Sequence, residues 1–146
     1  MSTRSVIGVM HGDKCKAIYA HSDGYLSYTG KVLSKYYDST KANFLVAQGD
    51  MSMLGKEIGE KINFDDRMEY DENNIASQCR FYKRDRDEQG VDFKVFQDYD
   101  ELLDFFDGCC AEYIYIMKDG VWYVADYDNR ELRLLSEELA KETEEV

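Results

Sequence analysis

Proline is missing from all 146 positions, where an average protein carries about 5%, which excludes turns preset by its fixed φ. Histidine occurs only twice and tryptophan once. The four cysteines, Cys15, Cys79, Cys109 and Cys110, contain no CxxC pair, which removes the usual zinc and redox spacings. They read as buried, inert thiols in a reducing compartment. No apolar run approaches the roughly 18 residues that a membrane-spanning helix needs. The opening MSTRSVIGVMHGDK also lacks the basic start, apolar stretch and cleavage site of a secretory signal. The expectation is a cytoplasmic protein, or one acting in the host cytoplasm if phage-encoded, with no membrane contact. Neither GxGxxG nor GxxxxGK occurs, and no DxDxDG calcium loop is present, so no phosphate-loop or EF-hand chemistry is indicated. No cofactor is indicated either.

Positive charge is also scarce. Eighteen Lys and Arg face 30 Asp and Glu, for a net charge of −12. The imbalance divides the single domain expected for 1–146 into a near-neutral part, 1–64, with a net charge of +2, and a strongly acidic part, 65–146, with −14. Such a field repels phosphates and favours basic partners, which argues against direct nucleic-acid binding. What the chain does have is 44% hydrophobic residues and 12 tyrosines, enough for a globular core and for aromatic contacts at an interface.

Residues 5–11 and 15–21 read as a hairpin through Gly12 and Asp13, pairing Ile7 with Ile18 and Val6 with Tyr19. Asp23-Gly24 breaks the second strand, and Ser27 or Thr29 is placed to cap a helix running to Tyr37. A second helix starts at Asp38 to Thr40 and stops at Gly49. Residues 51–64 show helical spacing weakened by Gly55 and Gly59, whose other use is close backbone approach. Residues 65–74 read as an acidic loop. A second hairpin is expected from 75–85 and 90–97, because Val91, Phe93 and Val95 alternate with polar residues. Asp98 and Glu101 open a helix ending at Gly108. Asp119-Gly120 is a strong two-residue turn, pairing Ile116 with Tyr123 and Tyr113 with Asp126, and both faces of that hairpin are apolar. Such a hairpin belongs near the centre of a covered sheet, or offers one aromatic face to a partner. Ser136 can cap a final acidic helix. Three hairpins separated by helices indicate one α+β domain, with short helices packed on a mainly antiparallel sheet.

No motif names a reaction. His21 and Asp23 are the nearest approach to an acid/base pair, but no nucleophile or metal accompanies them, and a turn formed by Asp23-Gly24 explains them more simply. A metal site from His11, Cys15 and His21 matches no ligand spacing, so none is assigned. Two sets of binding residues follow. A ligand-binding loop would use Arg4, His21, Asp23, Tyr25 and Tyr28. A partner-binding surface would use Asp65, Asp66, Glu69, Asp71 and Glu72, with Tyr113, Tyr115 and Trp122 as anchors.

The stretches STRSVIGV and IYAHSDGY, followed by Gly30 and an aromatic helix end at Tyr36 and Tyr37, resemble a family of small uncharacterised proteins of tailed phages and bacterial mobile elements. The likeness covers about the first 40 residues. Ala20, Ser22 and Leu26 depart from the family's frequent Cys, Trp and Pro, which weakens any thiol or metal chemistry beside His21. The resemblance implies an origin rather than an activity. Charge and origin together lead to a non-enzymatic reading: a protein, monomeric or a small homo-oligomer, that binds and inhibits a basic host protein, such as a nucleic-acid-handling or defence enzyme, its carboxylates standing in for phosphates. The alternative is a small-molecule or nucleotide-binding protein, a sponge, using the His21 to Tyr25 loop. A small hydrolase using His21 and Asp23 is the weaker third reading.

Overall fold

A computed structural model describes residues 3–144. Its centre is two hairpins set side by side. The strands β1 (Ser5–His11) and β2 (Lys14–Ala20) turn at Gly12 and Asp13, with Ile7 opposite Ile18 and Val6 opposite Tyr19. Gly12 takes the left-handed φ of +62° that this turn requires. A short strand β3 (Met51–Met53) runs parallel to the end of β2, and β4 (Arg80–Phe81) lies antiparallel to β3. Strand β5 (Lys94–Phe96) pairs with the other half of β2's free edge. The second hairpin, β6 (Tyr113–Lys118) and β7 (Val121–Asp126), turns on Asp119-Gly120 in the register read from the sequence. Strand β8 (Arg133–Leu134) borders β7, giving the order β4-β3-β2-β1-β6-β7-β8.

Sequence reasoning had no access to the pairing of β1 with β6, which is parallel from Ser5↔Tyr113 to Met10↔Lys118. The sheet is therefore mixed. With neighbours on both edges and cover on both faces, β1 is buried from Ser5 to Met10, the pattern of a central strand.

Alternation along these strands feeds two cores. One face carries Ile7, Val9, Ile18, Tyr115, Met117, Trp122 and Val124. It packs under α1 (Lys31–Tyr36), α2 (Ser39–Ala47) and α5 (Leu135–Glu144). The other face carries Val6, Met10, Ala17, Ile114 and Ile116 against Leu102 and Phe106 of α4 (Tyr99–Gly108). Helix α4 starts as expected: the Asp98 carboxylate accepts from Glu101 N at 2.9 Å, and the Glu101 carboxylate accepts from Gln97 N at 2.7 Å. Helix α2 is capped by Asp38, whose carboxylate accepts from Lys41 N at 2.8 Å. Neither Ser27 nor Thr29 caps α1. A π-helical turn, Leu26–Gly30, leads into it, and the Thr29 hydroxyl donates to the Asp23 carbonyl at 2.8 Å. Among the described residues no helix is long and apolar enough to cross a membrane.

Two expected elements are replaced. Residues 51–64 form β3 and then irregular chain rather than a broken helix, because the glycines serve close approach. A Cβ on Gly55 would lie 2.4 Å from the Gln78 carbonyl carbon, and one on Gly59 would lie 2.6 Å from the Gln78 side chain. The second hairpin does not form. After β4 the chain enters α3 (Tyr82–Arg86), and β4 and β5 find partners in β3 and β2 instead of each other. The cause is polar. The Asp85 carboxylate accepts from Phe81 N at 2.8 Å and from Ile62 N at 3.0 Å, which folds the chain back where a strand would run straight.

The cysteines divide. Cys15 and Cys79 are buried, whereas Cys109 is half-buried and Cys110 is exposed, so the reading of all four as buried holds for the first two. Burial pushes the Cys15 thiol up to about 12.

Candidate functional site

The loop from His21 to Gly30 is clamped onto the end of the sheet. Gly24 N donates to the Thr3 carbonyl at 2.8 Å, and the buried Tyr115 hydroxyl donates to the Gly24 carbonyl at 2.6 Å. A Cβ on Gly24 would meet the Ser5 Cβ at 2.7 Å, so glycine is required here. Asp23 adopts φ +52°, a left-handed conformation that Asp tolerates. This geometry leaves Tyr25 exposed and turns Tyr28 inward.

Tyr28 then organises a distant part of the chain. Its hydroxyl donates to the Leu54 carbonyl at 2.7 Å and accepts from Ala76 N at 3.1 Å, tying together two points of the irregular stretch 54–79. Tyr37 adds a bond to the Gly55 carbonyl at 2.8 Å. The Arg84 guanidinium donates to the carbonyls of Ile58, Gly59 and Cys79 and pairs with Asp85 at 2.9 Å. Burial pushes the Asp85 carboxyl up, but Arg84 and the Phe81 and Ile62 amides outweigh it, and the net shift is downward. A stretch this long without regular structure is uncommon inside a compact domain and usually has a function.

The stretch presents a tight turn at 71–75. Asp71 Oδ1 accepts from Asn73 N and Ile75 N, Asn74 takes φ +61°, and Asp71 Oδ2 pairs with Lys56 Nζ at 2.5 Å. The Lys56 ammonium and the two amides hold the Asp71 carboxyl down at about 2. Tyr70, Asn73 and Asn74 line, with Asp23, Tyr25, Ser27 and Tyr28, an open cavity of about 450 Å³. Tyr25 is 39% exposed and Tyr70 53%. Partial burial and the neighbouring Asp23 carboxylate push the Tyr25 hydroxyl up, so it remains a donor at neutral pH.

A second cavity of about 490 Å³ shares Ser27, Tyr28 and Asn73 with the first and continues past Lys31, Ser34 and Lys35 to Ile75 and Leu139. The two form one groove whose volume suits a small ligand.

Of the five expected ligand residues, the structure brings Asp23, Tyr25 and Tyr28 to this groove and leaves Arg4 and His21 outside it. The His21 Nδ1 is 2.7 Å from the Tyr19 hydroxyl, and His21 N donates to the Met51 carbonyl, so this residue extends the β2–β3 pairing and its imidazole is engaged with Tyr19. Arg4 lies at the head of β1, where its carbonyl accepts from Glu112 N at 2.9 Å. His11 stands at the opposite end of the first hairpin from His21, and among the described residues no three His, Cys, Asp or Glu side chains gather as a metal site requires.

The expected partner surface is divided. Tyr115 is fully buried and Trp122 nearly so, its indole donating to the Tyr37 carbonyl at 2.9 Å, because the second hairpin is covered on both faces. Neither can anchor a partner. Asp71 is engaged inside its own loop, while Asp65, Asp66, Glu69 and Glu72 remain exposed. Tyr113 is half-buried and borders a separate acidic cleft of about 540 Å³, with Asp107, Glu112, Asp126 and Asp128 around it and Tyr127 at its rim.

Sequence reasoning missed Tyr70, Asn73 and Asn74, which it absorbed into an acidic loop, and Lys31, Ser34 and Lys35, which it took only as part of a helix. The Asp71-to-Asn73 spacing of an Asx turn was the available signal for the first set. Comparison with known proteins finds no matching family model, no matching curated protein and no matching solved structure.

Proposed function

We propose that this is a non-enzymatic binding protein for a small ligand with a planar ring, held in the groove between the loop at Asp23 to Ser27 and the turn at 71–75. The observation that carries the reading is the convergence of two exposed tyrosines and two asparagines on one cavity, built by a long irregular stretch that five hydrogen-bonding side chains hold in place. Tyrosine rings offer a rigid apolar face at small entropic cost, and amide side chains read both donors and acceptors on a ring edge. The likeness of the first 40 residues to phage and mobile-element proteins supports a role in host cytoplasm, where binding would sequester the ligand.

A second reading, inhibition of a basic host protein, is favoured by the acidic cleft. There Arg130 neutralises Asp107 and Arg133 neutralises Asp126, while Glu112 and Asp128 have no ion pair among the described residues and Tyr127 is 65% exposed.

One titration separates the two. Heteroaromatic fragments (purine, pyrimidine, nicotinamide, indole) added to isotope-labelled protein should shift the amide resonances of Tyr25, Ser27, Tyr70, Asn73 and Asn74, and a Tyr25→Ala/Tyr70→Ala variant should lose the response. Shifts elsewhere, or none, reject the groove. A Lys- and Arg-rich peptide tested in the same way should shift Glu112, Tyr127 and Asp128 only at low salt if the second reading is right. Binding that survives about 0.5 M salt, where the Debye length is a few Å, rejects it.

A further inference from the structure

The two halves of the groove differ in chemistry. The half at Tyr25 and Tyr70 has ring faces, amides and the Asp23 carboxylate. The half at Lys31, Ser34 and Lys35 has two ammonium groups and a hydroxyl, with Ile75 and Leu139 beside them. Lys31 and Lys35 are four residues apart on α1, so their charges fall on the same side of the helix and repel. In a chain with a net charge of −12, neither has a carboxylate within salt-bridge distance among the described residues. Among the described residues, the ring contact of either side chain is Lys35 Nζ over the Tyr36 ring at 5.3 Å. Two unpaired cations on one side of a six-residue helix, in continuity with an aromatic cavity, make a place for an anionic group attached to a ring.

Resting on the small-ligand reading above, we infer that the occupant is a nucleoside phosphate, its base against Tyr25 and Tyr70, its ribose near Asp23, Ser27 and Asn73, and its phosphate on Lys31, Ser34 and Lys35. Each portion has suitable chemistry. Base faces stack on tyrosine whatever the base. Asn74 can pair with a base edge, and Asp23 and Asn73 can bond ribose hydroxyls. Lysine is a point charge suited to a phosphate without demanding one geometry. A nucleoside would fill only the aromatic half and leave the lysine pair unneutralised. Inorganic phosphate would fill only the other half and gain nothing from the tyrosines.

The test is calorimetric titration of the four ribonucleoside 5′-monophosphates, the four matching nucleosides and inorganic phosphate. At least one monophosphate should bind at least about tenfold more tightly than its nucleoside, a difference of about 1.4 kcal/mol, and inorganic phosphate should bind more weakly than either. That advantage should shrink as salt is raised. A Lys31→Gln/Lys35→Gln variant changes exposed side chains only, so its melting temperature serves as the folding control. It should lose the phosphate advantage and keep the nucleoside affinity. Equal affinities for nucleoside and monophosphate, or an advantage that survives the double substitution, overturn the nucleoside phosphate while leaving a ring-binding groove. If fragments shift Tyr25 and Tyr70 but no nucleoside or monophosphate binds, the ligand class is wrong. If the fragments fail as well, the groove reading falls with it.

Discussion

Strands β1 and β6 and the stretch 54–79 lie in one molecule but are held by different forces. Ser5 to Met10 and Ile114 to Met117 are buried on two faces, and each fully buried Ile or Val side chain there contributes roughly 1.5–3 kcal/mol of apolar transfer. The stretch 54–79 buries few large side chains. It is tied instead through Tyr28, Tyr37, Arg84 and Asp85, through Gly55 against Gln78, and through Asp71 with Lys56. Apolar burial is tolerant of small errors and hard to open locally. A network of few polar ties is specific but fails when one tie is lost. The groove is shared between them: its floor hangs from the sheet, and its far wall belongs to the polar stretch.

The sharpest break of that contrast is Asp85→Ala. It leaves the Arg84 guanidinium without its carboxylate and the Phe81 and Ile62 amides without an acceptor. Breaking a buried pair in this way costs about 3–5 kcal/mol. Hydrogen exchange should then accelerate across 55–80 while amides of β1 and β6 stay slow. If both regions accelerate together, the polar stretch and the sheet unfold as one unit and the distinction is void. Tyr28→Phe is the milder probe. It leaves the Leu54 carbonyl and Ala76 amide unsatisfied at a cost of about 1–3 kcal/mol. Denaturant midpoints should move less than for Asp85→Ala, and amides at 54 and 76 should be the first to lose protection. A larger loss than for Asp85→Ala would make Tyr28 the main tie.

The same division explains what the sequence disclosed. Hairpins announce themselves locally: alternation and the Asp119-Gly120 turn determine pairing between neighbours, and both registers emerged residue by residue. The parallel pairing of Ser5 with Tyr113 has no local sign, since two apolar strands more than 100 positions apart say nothing of direction. Val91, Phe93 and Val95 do alternate, but the strand they suggest pairs with Cys15 to Ala17, and the polar turn at Asp85 diverts its supposed partner. Apolar residues on both faces of a hairpin fit an interface as well as a covered sheet, so the sequence leaves Tyr115 and Trp122 open as anchors; the helices that cover them decide the matter. Half of the groove was legible as a polar loop at Asp23 to Tyr28. The other half depends on Asp71 folding its own turn, a contact invisible in a run of acidic residues.

That turn provides the smallest and most local test. Asp71 has a folded carboxyl at about 2 against an ordinary 3.8, lowered by the Lys56 ammonium and by the Ile75 and Asn73 amides. A depressed carboxyl stabilises the fold fully above its unfolded value, and that contribution disappears as pH falls through the folded one. The 71–75 turn should therefore hold at neutral pH and loosen between about pH 4 and pH 2, with Asn73 and Asn74 amide signals broadening before those of β6 move. Asp71→Asn keeps an acceptor for the amides but loses the ion pair with Lys56, so it should remove the acid transition at the turn and weaken groove ligands modestly at neutral pH. If Asn73 and Asn74 still respond to acid in that variant, another carboxylate controls the wall, and the Asp71–Lys56 pair is incidental to the site.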